Sequence, residues 1–136
     1  MTDMRTTGGC LCGAVRYVAH GAPKRVGLCH CTTCRKETGS PFAAFAVYPM
    51  DKVTVTGKTE LFKAPRLARH FCPTCGSPVF IDESYEGSIG IYYGSLDEPE
   101  RFVPTYELWV VRRLAWLHHM TELEAHERDR DGVPAG

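Results

Sequence analysis

The residues of this chain most able to do chemistry are its seven cysteines, found among 136 residues. They fall into three closely spaced groups: Cys10-x-Cys12, Cys29-x-Cys31-x2-Cys34 and Cys72-x2-Cys75. This spacing lets one chain segment present two or three sulfurs to a single ion, as zinc sites require. Disulfides are the alternative, but the odd number of cysteines and the reducing compartment expected below argue against them. The cysteines therefore predict metal sites.

Four of the cysteines predict a closed site. Cys72-Pro73-Thr74-Cys75-Gly76 resembles the knuckle of zinc ribbons, in which a glycine after the second cysteine turns the chain, often through positive φ, and aims backbone N–H groups at the thiolates. Cys10 and Cys12 also lie among glycines and offer two more sulfurs, which complete a tetrahedron. We predict that these two pairs hold a structural zinc ion that joins the N-terminal hairpin to later strands. A redox pair is the less favoured alternative.

The other three, Cys29, Cys31 and Cys34, lie within six residues, and the chain has no further cysteine. Three protein ligands plus a water or substrate is the usual arrangement of catalytic zinc, whereas structural zinc has four protein ligands. His30, or a distant histidine such as His70, could instead be the fourth ligand and close the site. Because His30 is flanked by two ligands, we expect its side chain to point away from the ion. We therefore predict an open zinc site and two zinc ions per chain.

Short strands are predicted to position these groups. Alternating or continuous apolar residues that favour strands occupy residues 15–17, 26–28, 42–48, 53–55, 60–62, 78–81 and 89–93. One helical turn is predicted over residues 33–38, beside the open site, because Gly39 suits the position after a helix. Residues 106–120 fit either a strand that runs into a helix or one irregular helix. Residues 122–136 form a charged C-terminal tail, which we expect to be solvated or frayed.

Composition limits the size and partners of the protein. A chain of 136 residues that is 43% hydrophobic can bury one modest core, so we predict a single, mainly β domain. Its 16 basic and 16 acidic residues cancel, so we expect no nucleic-acid partner and only weak, salt-sensitive affinity for DNA. The uncharged residues 39–50 contain two prolines and are too few to span a membrane. Residues 1–5 lack the features of a secretory signal, which predicts a soluble, cytoplasmic protein.

Several spaced motifs, in order, resemble one family. They are Gly8-Gly9-Cys10-x-Cys12-Gly13, Cys29-His30-Cys31-x2-Cys34-Arg35-Lys36, Gly39-Ser40-Pro41-Phe42, Arg69-x-Phe71-Cys72-x2-Cys75-Gly76-Ser77 and Gly94-Ser95-Leu96-Asp97. Over about residues 5–118, the chain resembles the glutathione-dependent formaldehyde-activating enzymes and centromere protein V. The resemblance implies a tent-like β fold that contains zinc. It also implies that Cys10, Cys12, Cys72 and Cys75 are structural ligands, and that Cys29, Cys31 and Cys34 hold the catalytic zinc.

The chemistry of three thiolates independently favours a sulfur substrate. They donate strongly to zinc and make it a poorer Lewis acid, which disfavours water activation and suits capture of a substrate thiol. The resulting thiolate can add to an aldehyde or leave from a hemithioacetal. Arg35, Lys36 and Arg69 could offset the charge of the site or hold a substrate carboxylate. Further candidates for the pocket are Ser40, Ser95 and Asp97, which could equally make turns; Phe42, Phe45, Phe71, Tyr92 and Trp109 are expected in the core.

The predicted function is thus a zinc-dependent carbon-sulfur lyase that acts on thiol-aldehyde adducts. The resemblance implies an activity like that of S-(hydroxymethyl)glutathione synthase, with glutathione or its adduct as the small-molecule partner and formaldehyde as the aldehyde. Two alternatives remain: a zinc-stabilised binding module without catalysis, and a redox or metal-handling protein that uses its thiols. The binding module needs a charged or apolar recognition surface, which the neutral composition does not predict.

Overall fold

The computed structural model describes residues 4–117 and 123–134 of the chain. Within these ranges the protein has eleven strands and one α-helix. The strands are β1 (Arg5–Gly9), β2 (Arg16–His20), β3 (Arg25–Cys29), β4 (Ala43–Pro49), β5 (Val53–Thr56), β6 (Glu60–Lys63), β7 (Ala68–Phe71), β8 (Pro78–Glu83), β9 (Ser88–Tyr92), β10 (Tyr106–Leu108) and β11 (Glu124–Ala125); the helix is α1 (Thr32–Thr38). Short 3-10 turns cover Met50–Lys52, Ser84–Glu86, Tyr93–Ser95, Pro99–Arg101 and Val110–Arg112. None of the described helices has the length and apolar character needed to cross a membrane.

The strands form two sheets, which confirms the mainly β prediction. The small sheet has the order β1-β2-β5, and the large one has the order β11-β10-β3-β4-β9-β8-β7-β6. Neighbouring strands are antiparallel except that β10 runs parallel to both β3 and β11. The segment that the sequence left undecided is therefore a short strand followed by a 3-10 turn; its residues 118–120 lie outside the described residues.

Two apolar clusters lie on opposite faces of the large sheet. On β4, Ala46 and Tyr48 belong to the first cluster and Phe45 and Val47 to the second, as the two-residue period of a strand requires. The first cluster also contains Tyr17 of β2, so it fills the space between the two sheets. The second cluster includes the sulfur-bearing residues Cys29 and Cys34. The large sheet thus separates the main core from the face that carries the three-cysteine group.

The predicted helical turn forms at the end of β3. The helix spans Thr32–Thr38 and ends at Gly39, whose φ of 69° lies in the left-handed region and whose N–H donates to the Arg35 carbonyl. Its N-cap is Cys31, whose sulfur accepts a hydrogen bond from the Cys34 N–H at 3.3 Å. The cap therefore fixes two sulfurs of the open group relative to each other.

The C-terminal segment differs from the solvated tail that its charges predict. Its described part, residues 123–134, lies along the large sheet: β11 pairs with β10, and the N–H groups of Trp109 and Val110 donate to the carbonyls of Arg128 and His126, both at 2.9 Å. Without this segment, the free edge of β10 and the turn after it would present unpaired backbone groups. Backbone pairing of this kind leaves no mark in the composition, which explains the wrong expectation.

Candidate metal centres and pocket

The four-cysteine group joins the two sheets. Cys10 and Cys12 follow β1, and Cys72 and Cys75 follow β7; the four sulfurs lie within 4.8 Å of one another. The Cys12 sulfur is 3.7 Å from the sulfurs of both Cys10 and Cys72. A regular tetrahedron with zinc–sulfur bonds of about 2.3 Å has sulfur–sulfur edges of about 3.8 Å. The number, type and spacing of these donors therefore fit a zinc ion.

Backbone and hydroxyl groups form hydrogen bonds with three of these sulfurs. The N–H groups of Val15 and Thr74 donate to the sulfurs of Cys10 and Cys72 at 3.2 and 3.4 Å. The Ser77 hydroxyl lies 3.2 Å from the Cys75 sulfur, and this hydrogen bond, together with those from the backbone N–H groups of Ser77 and Cys12, lowers the pKa of Cys75 to about 5. Gly76 has a φ of 77°, as predicted for the residue after the second cysteine, and this conformation rather than a lack of space disfavours any other residue there.

The three-cysteine group lies at the junction of β3 and α1. Its sulfurs also lie within 4.8 Å of one another, so they too could hold a metal ion. Cys29 and Cys34 are buried and Cys31 is partly buried. The hydrogen bonds from the thiols of Cys29 and Cys34 lower the pKa of Cys31, while the bond to Cys31 raises the pKa of Cys29 because that thiol keeps its proton. A cluster that shares protons in this way can exchange them for a cation.

Neither histidine considered from the sequence joins this group. His30 is fully buried, and its Nε2 forms a 2.8 Å hydrogen bond with Glu107 on β10, while Arg113 reaches the other oxygen of that carboxylate at 3.3 Å. His70 stacks on Phe80 with ring centroids 4.3 Å apart. Among the described residues, the clustered ligand atoms at this site come from three cysteines alone. No motif pointed to Glu107, which lies in the segment whose structure the sequence left undecided.

Arg69 is the predicted cation that lies beside the three sulfurs. It sits on β7 and is 6% exposed; its guanidinium donates to the Tyr92 hydroxyl at 3.0 Å and lies 3.5 Å from a Glu37 oxygen. After the thiol hydrogen bonds described above, the positive charge of Arg69 also lowers the pKa of Cys31. Its Nε is buried and has no hydrogen-bond acceptor among the described residues. Arg69 also lines the pocket described next, so its guanidinium offers a positive charge there.

A pocket of about 470 Å³ opens beside the three-cysteine group. Its lining includes Phe45 and Trp109, which the sequence placed in the core, and Arg130 and Val133 of the C-terminal segment. Trp109 is the one non-glycine residue with positive φ, 58°, in the described part of the chain. Its indole N–H donates to Asp129 at 3.1 Å, which ties the C-terminal segment to the pocket rim. Strained backbone of this kind occurs often at functional sites.

The other predicted pocket residues lie elsewhere. Arg35 and Lys36 are on α1 but outside the lining of this pocket, and Arg35 donates to the Arg112 carbonyl at 3.2 Å. Ser40, Ser95 and Asp97 line a separate depression of the surface. There Ser95 bonds to Tyr17 and Tyr92, and Asp97 accepts hydrogen bonds from Thr7 and Arg16, so both residues have structural partners.

A mainly β fold with one four-cysteine and one three-cysteine group defines a class of small proteins with two candidate metal sites. Residues 5–112 match the sequence model of the glutathione-dependent formaldehyde-activating enzyme family. The chain therefore belongs to this family, as its motifs predict.

Proteins similar to the chain include a curated relative and a solved structure. An uncharacterized lyase of Schizosaccharomyces pombe is 32% identical over 74 residues, which are 54% of this chain and 54% of the relative. The chain thus matches about half the length of this curated relative. The crystal structure of a Rhodobacter sphaeroides protein superposes with a TM-score of 0.55 at 23% identity and covers 67% of this chain and 87% of the other. The second likeness supports the fold alone.

Proposed function

We propose that the protein is a zinc-dependent carbon-sulfur lyase that makes or breaks thiol-aldehyde adducts. One observation carries the proposal: the four-cysteine group is a complete ligand set, whereas the three-cysteine group has one ligand fewer and borders a pocket. Cys10, Cys12, Cys72 and Cys75 would hold a structural zinc ion, and Cys29, Cys31 and Cys34 would hold the catalytic one. Zinc held by three thiolates supplies a soft acceptor that lowers the pKa of a bound thiol.

The residues of the chain have separate tasks in this reaction. When an adduct is broken, the carbon–sulfur bond cleaves, its electron pair stays on sulfur as a thiolate, and the hydroxyl proton passes to water as the carbonyl forms. Formation of the adduct is the reverse. The hydroxyl oxygen gains negative charge on the way, and the positive charge of Arg69, which lines the pocket and is held by Tyr92 and Glu37, can stabilise that charge without having to reorganise. The positive charge of Arg69 also offsets the negative charge of the thiolates.

The comparisons support this proposal at a coarser level. The chain belongs to a family named for glutathione and formaldehyde, and one relative carries the name of a lyase. Glutathione and formaldehyde are therefore the first pair to test. We take residues 5–118 as the catalytic unit and the cytoplasm, where glutathione is abundant, as its location.

The decisive experiment measures exchange between formaldehyde and S-hydroxymethylglutathione by NMR. Because the adduct also forms spontaneously, rates with zinc-loaded protein are compared with those of zinc-free protein and of a Cys31→Ser variant. We expect acceleration with the zinc-loaded protein alone. A Lys36→Ala variant is the matched control, because Lys36 lies on the same helix but outside the pocket lining. If all samples match the uncatalysed rate, glutathione and formaldehyde are not the substrates.

A binding module without catalysis is the second candidate, and exposed apolar side chains favour it. Leu61 and Phe62 are 50% and 66% exposed on β6, the edge strand of the large sheet. Cobalt in place of zinc separates the two functions, because a thiol that binds at the open site changes the visible spectrum of cobalt. If no thiol changes that spectrum, the binding module becomes the better account.

A further inference from the structure

The pocket beside the three-cysteine group continues along one face of the large sheet. Arg25, Gly27 and Cys29 alternate on β3 and all line it, so they share this face. From Cys29 to Arg25 the strand rises roughly 13 Å, at about 3.3 Å per residue. The sulfurs therefore lie at one end of an elongated pocket and charged side chains at the other.

The side chains at the charged end form ion pairs and hydrogen bonds with one another. Arg25 donates to Glu86 at 2.8 Å and lies 3.8 Å from Glu83, and Arg130 also pairs with Glu86. Tyr85 donates a further hydrogen bond to Glu83 at 3.0 Å. Because these charged groups are already paired within the protein, they have little need of a ligand.

The lining between the sulfurs and the charged end is mostly apolar. Leu108 of β10 pairs with Cys29 and lies nearest the sulfurs, followed by Phe45 of β4, which pairs with Gly27; Val47 of β4 and Ile81 of β8 lie further along, level with Arg25. Leu67 of the β6–β7 turn packs against the same cluster. Above Gly27 lies the ring of Tyr106: a Cβ added to Gly27 would come within 2.3 Å of that ring. The glycine thus lets an aromatic ring lie against the strand, where it adds a flat wall to the pocket. A group attached to a sulfur at the cysteine end would meet these walls first.

Formaldehyde adds only a hydroxymethyl group to the thiol, which is too small and polar to fill this apolar section. Apolar surface next to the reacting atoms stabilises a substrate in proportion to the apolar area it buries. We propose that the aldehyde part of the adduct carries an apolar group about the size of a ring. The adduct would then come from an aldehyde such as an arylacetaldehyde. This inference rests on the proposed lyase function and specifies its substrate class.

The test compares two aldehydes, and each comparison is made with one thiol at a time. NMR exchange rates are measured for the adducts of phenylacetaldehyde and of formaldehyde, each with glutathione and with 2-mercaptoethanol, with zinc-loaded and with zinc-free protein. We expect the acceleration over the uncatalysed rate to be about 10- to 100-fold larger for phenylacetaldehyde, the range that a few extra apolar groups produce in a fitted pocket. Equal or larger acceleration for formaldehyde overturns the inference and leaves the lyase function standing. No acceleration for either aldehyde counts against both.

Variants connect the preference to the pocket. Val47→Phe narrows the apolar section, and Leu67→Ala removes part of its wall from a partly buried turn, where the fold tolerates truncation better. Both should lower the ratio of the phenylacetaldehyde rate to the formaldehyde rate. Val103→Phe is the matched control, because Val103 is 75% exposed and lies outside the lining. An unchanged ratio in both pocket variants overturns the inference.

A binding measurement decides the matter without turnover. With cobalt at the open site, 2-phenylethanethiol and 2-mercaptoethanol are titrated and the spectral change is followed. The aromatic thiol should bind about 10-fold or more tightly, and Leu67→Ala should reduce this difference. Equal affinities of the two thiols would show that the walls do not contact the substrate.

Discussion

The two cysteine groups share their ligand chemistry but differ in what they connect. In the four-cysteine group, sulfurs that touch come from residues 60 positions apart, and the group joins the N-terminal strand to the far side of the large sheet. The three-cysteine group lies within one short segment and borders a pocket. A metal ion that closes a long loop contributes to folding, whereas one bound within six residues constrains little of the chain and can exchange a ligand.

The largest expected effect tests directly whether the two cysteine groups differ in their contribution to folding. Cys72→Ser should leave the protein unfolded or aggregated at 25 °C, because structural zinc contributes about 10 kcal/mol or more, comparable to the whole stability of a domain. Cys31→Ser should stay folded, with a Tm within about 5 °C of the unchanged protein. Circular dichroism melts of zinc-loaded protein measure both. The assignment of the two groups is falsified if the Cys31 change proves as damaging as the Cys72 change.

Metal content tests whether both groups bind an ion. The zinc-loaded protein should contain two zinc ions per chain, and Cys31→Ser should contain one. A chelator with a colorimetric indicator should release the first ion on the order of tenfold faster than the second, because one site has three protein ligands and the other four. Elemental analysis that never exceeds one zinc per chain, even after zinc is added back, would rule out the second site.

A smaller effect separates Arg69 from Arg35, the arginine that follows the three-cysteine motif. Arg69→Met removes the cation beside Glu37, Tyr92 and the three sulfurs, and we expect a loss of about 2–4 kcal/mol in the free energy of unfolding because buried charge is left unpaired. Arg35→Met should cost about 0.5 kcal/mol or less, since its contact is at the surface. Urea denaturation of both variants makes the comparison. Equal losses would mean that burial of Arg69 does not matter to the site.

The smallest effect concerns pH at the four-cysteine group. The pKa of Cys75 is lowered from its ordinary value of 9.0 to about 5 in the folded protein. Its thiolate therefore contributes fully to the stability of the metal-binding state above pH 9.0, and this contribution is lost as the pH falls towards about 5. Ser77→Ala removes one of the hydrogen bonds that lower this pKa, so protons should displace zinc at a pH about half a unit higher. Zinc release followed by an indicator gives the midpoint, and Ser84→Ala, at an exposed turn, is the control. An unchanged midpoint in Ser77→Ala would mean that the Ser77 hydroxyl does not stabilise the thiolate.

Local spacing explains what the sequence predicted well. The cysteines of each pair or triplet are close in the chain, so each such set follows from the reach of one segment. The count of four ligands joined the two distant pairs, and the two groups in the structure are those predicted. The same holds for α1, whose end is set by Gly39, and for the positive φ of Gly76. Strands with clear alternation, such as β5, were predicted because each residue's face is fixed by its neighbour.

The parts that were missed depend on contacts between distant segments. The parallel pairing of β10 with β3 brings Leu108 and Trp109 to the pocket and Glu107 to His30, and three residues of strand are too few to show a period. The C-terminal segment is held by backbone hydrogen bonds and by pairs such as Arg66 with Asp129, which its charged composition conceals. The pocket walls therefore had to be seen in the structure.

The position of β10 also has a consequence for synthesis of the chain. Glu107 lies 77 residues after its partner His30, so at roughly 5–20 residues per second the ribosome needs several seconds to supply it after the three cysteines have been made. During those seconds the nascent chain has all three thiols of the open group but neither the β10 wall nor the carboxylate that pairs with His30. The thiols can then meet metal ions, oxidants and chaperones without the protection that the finished pocket provides.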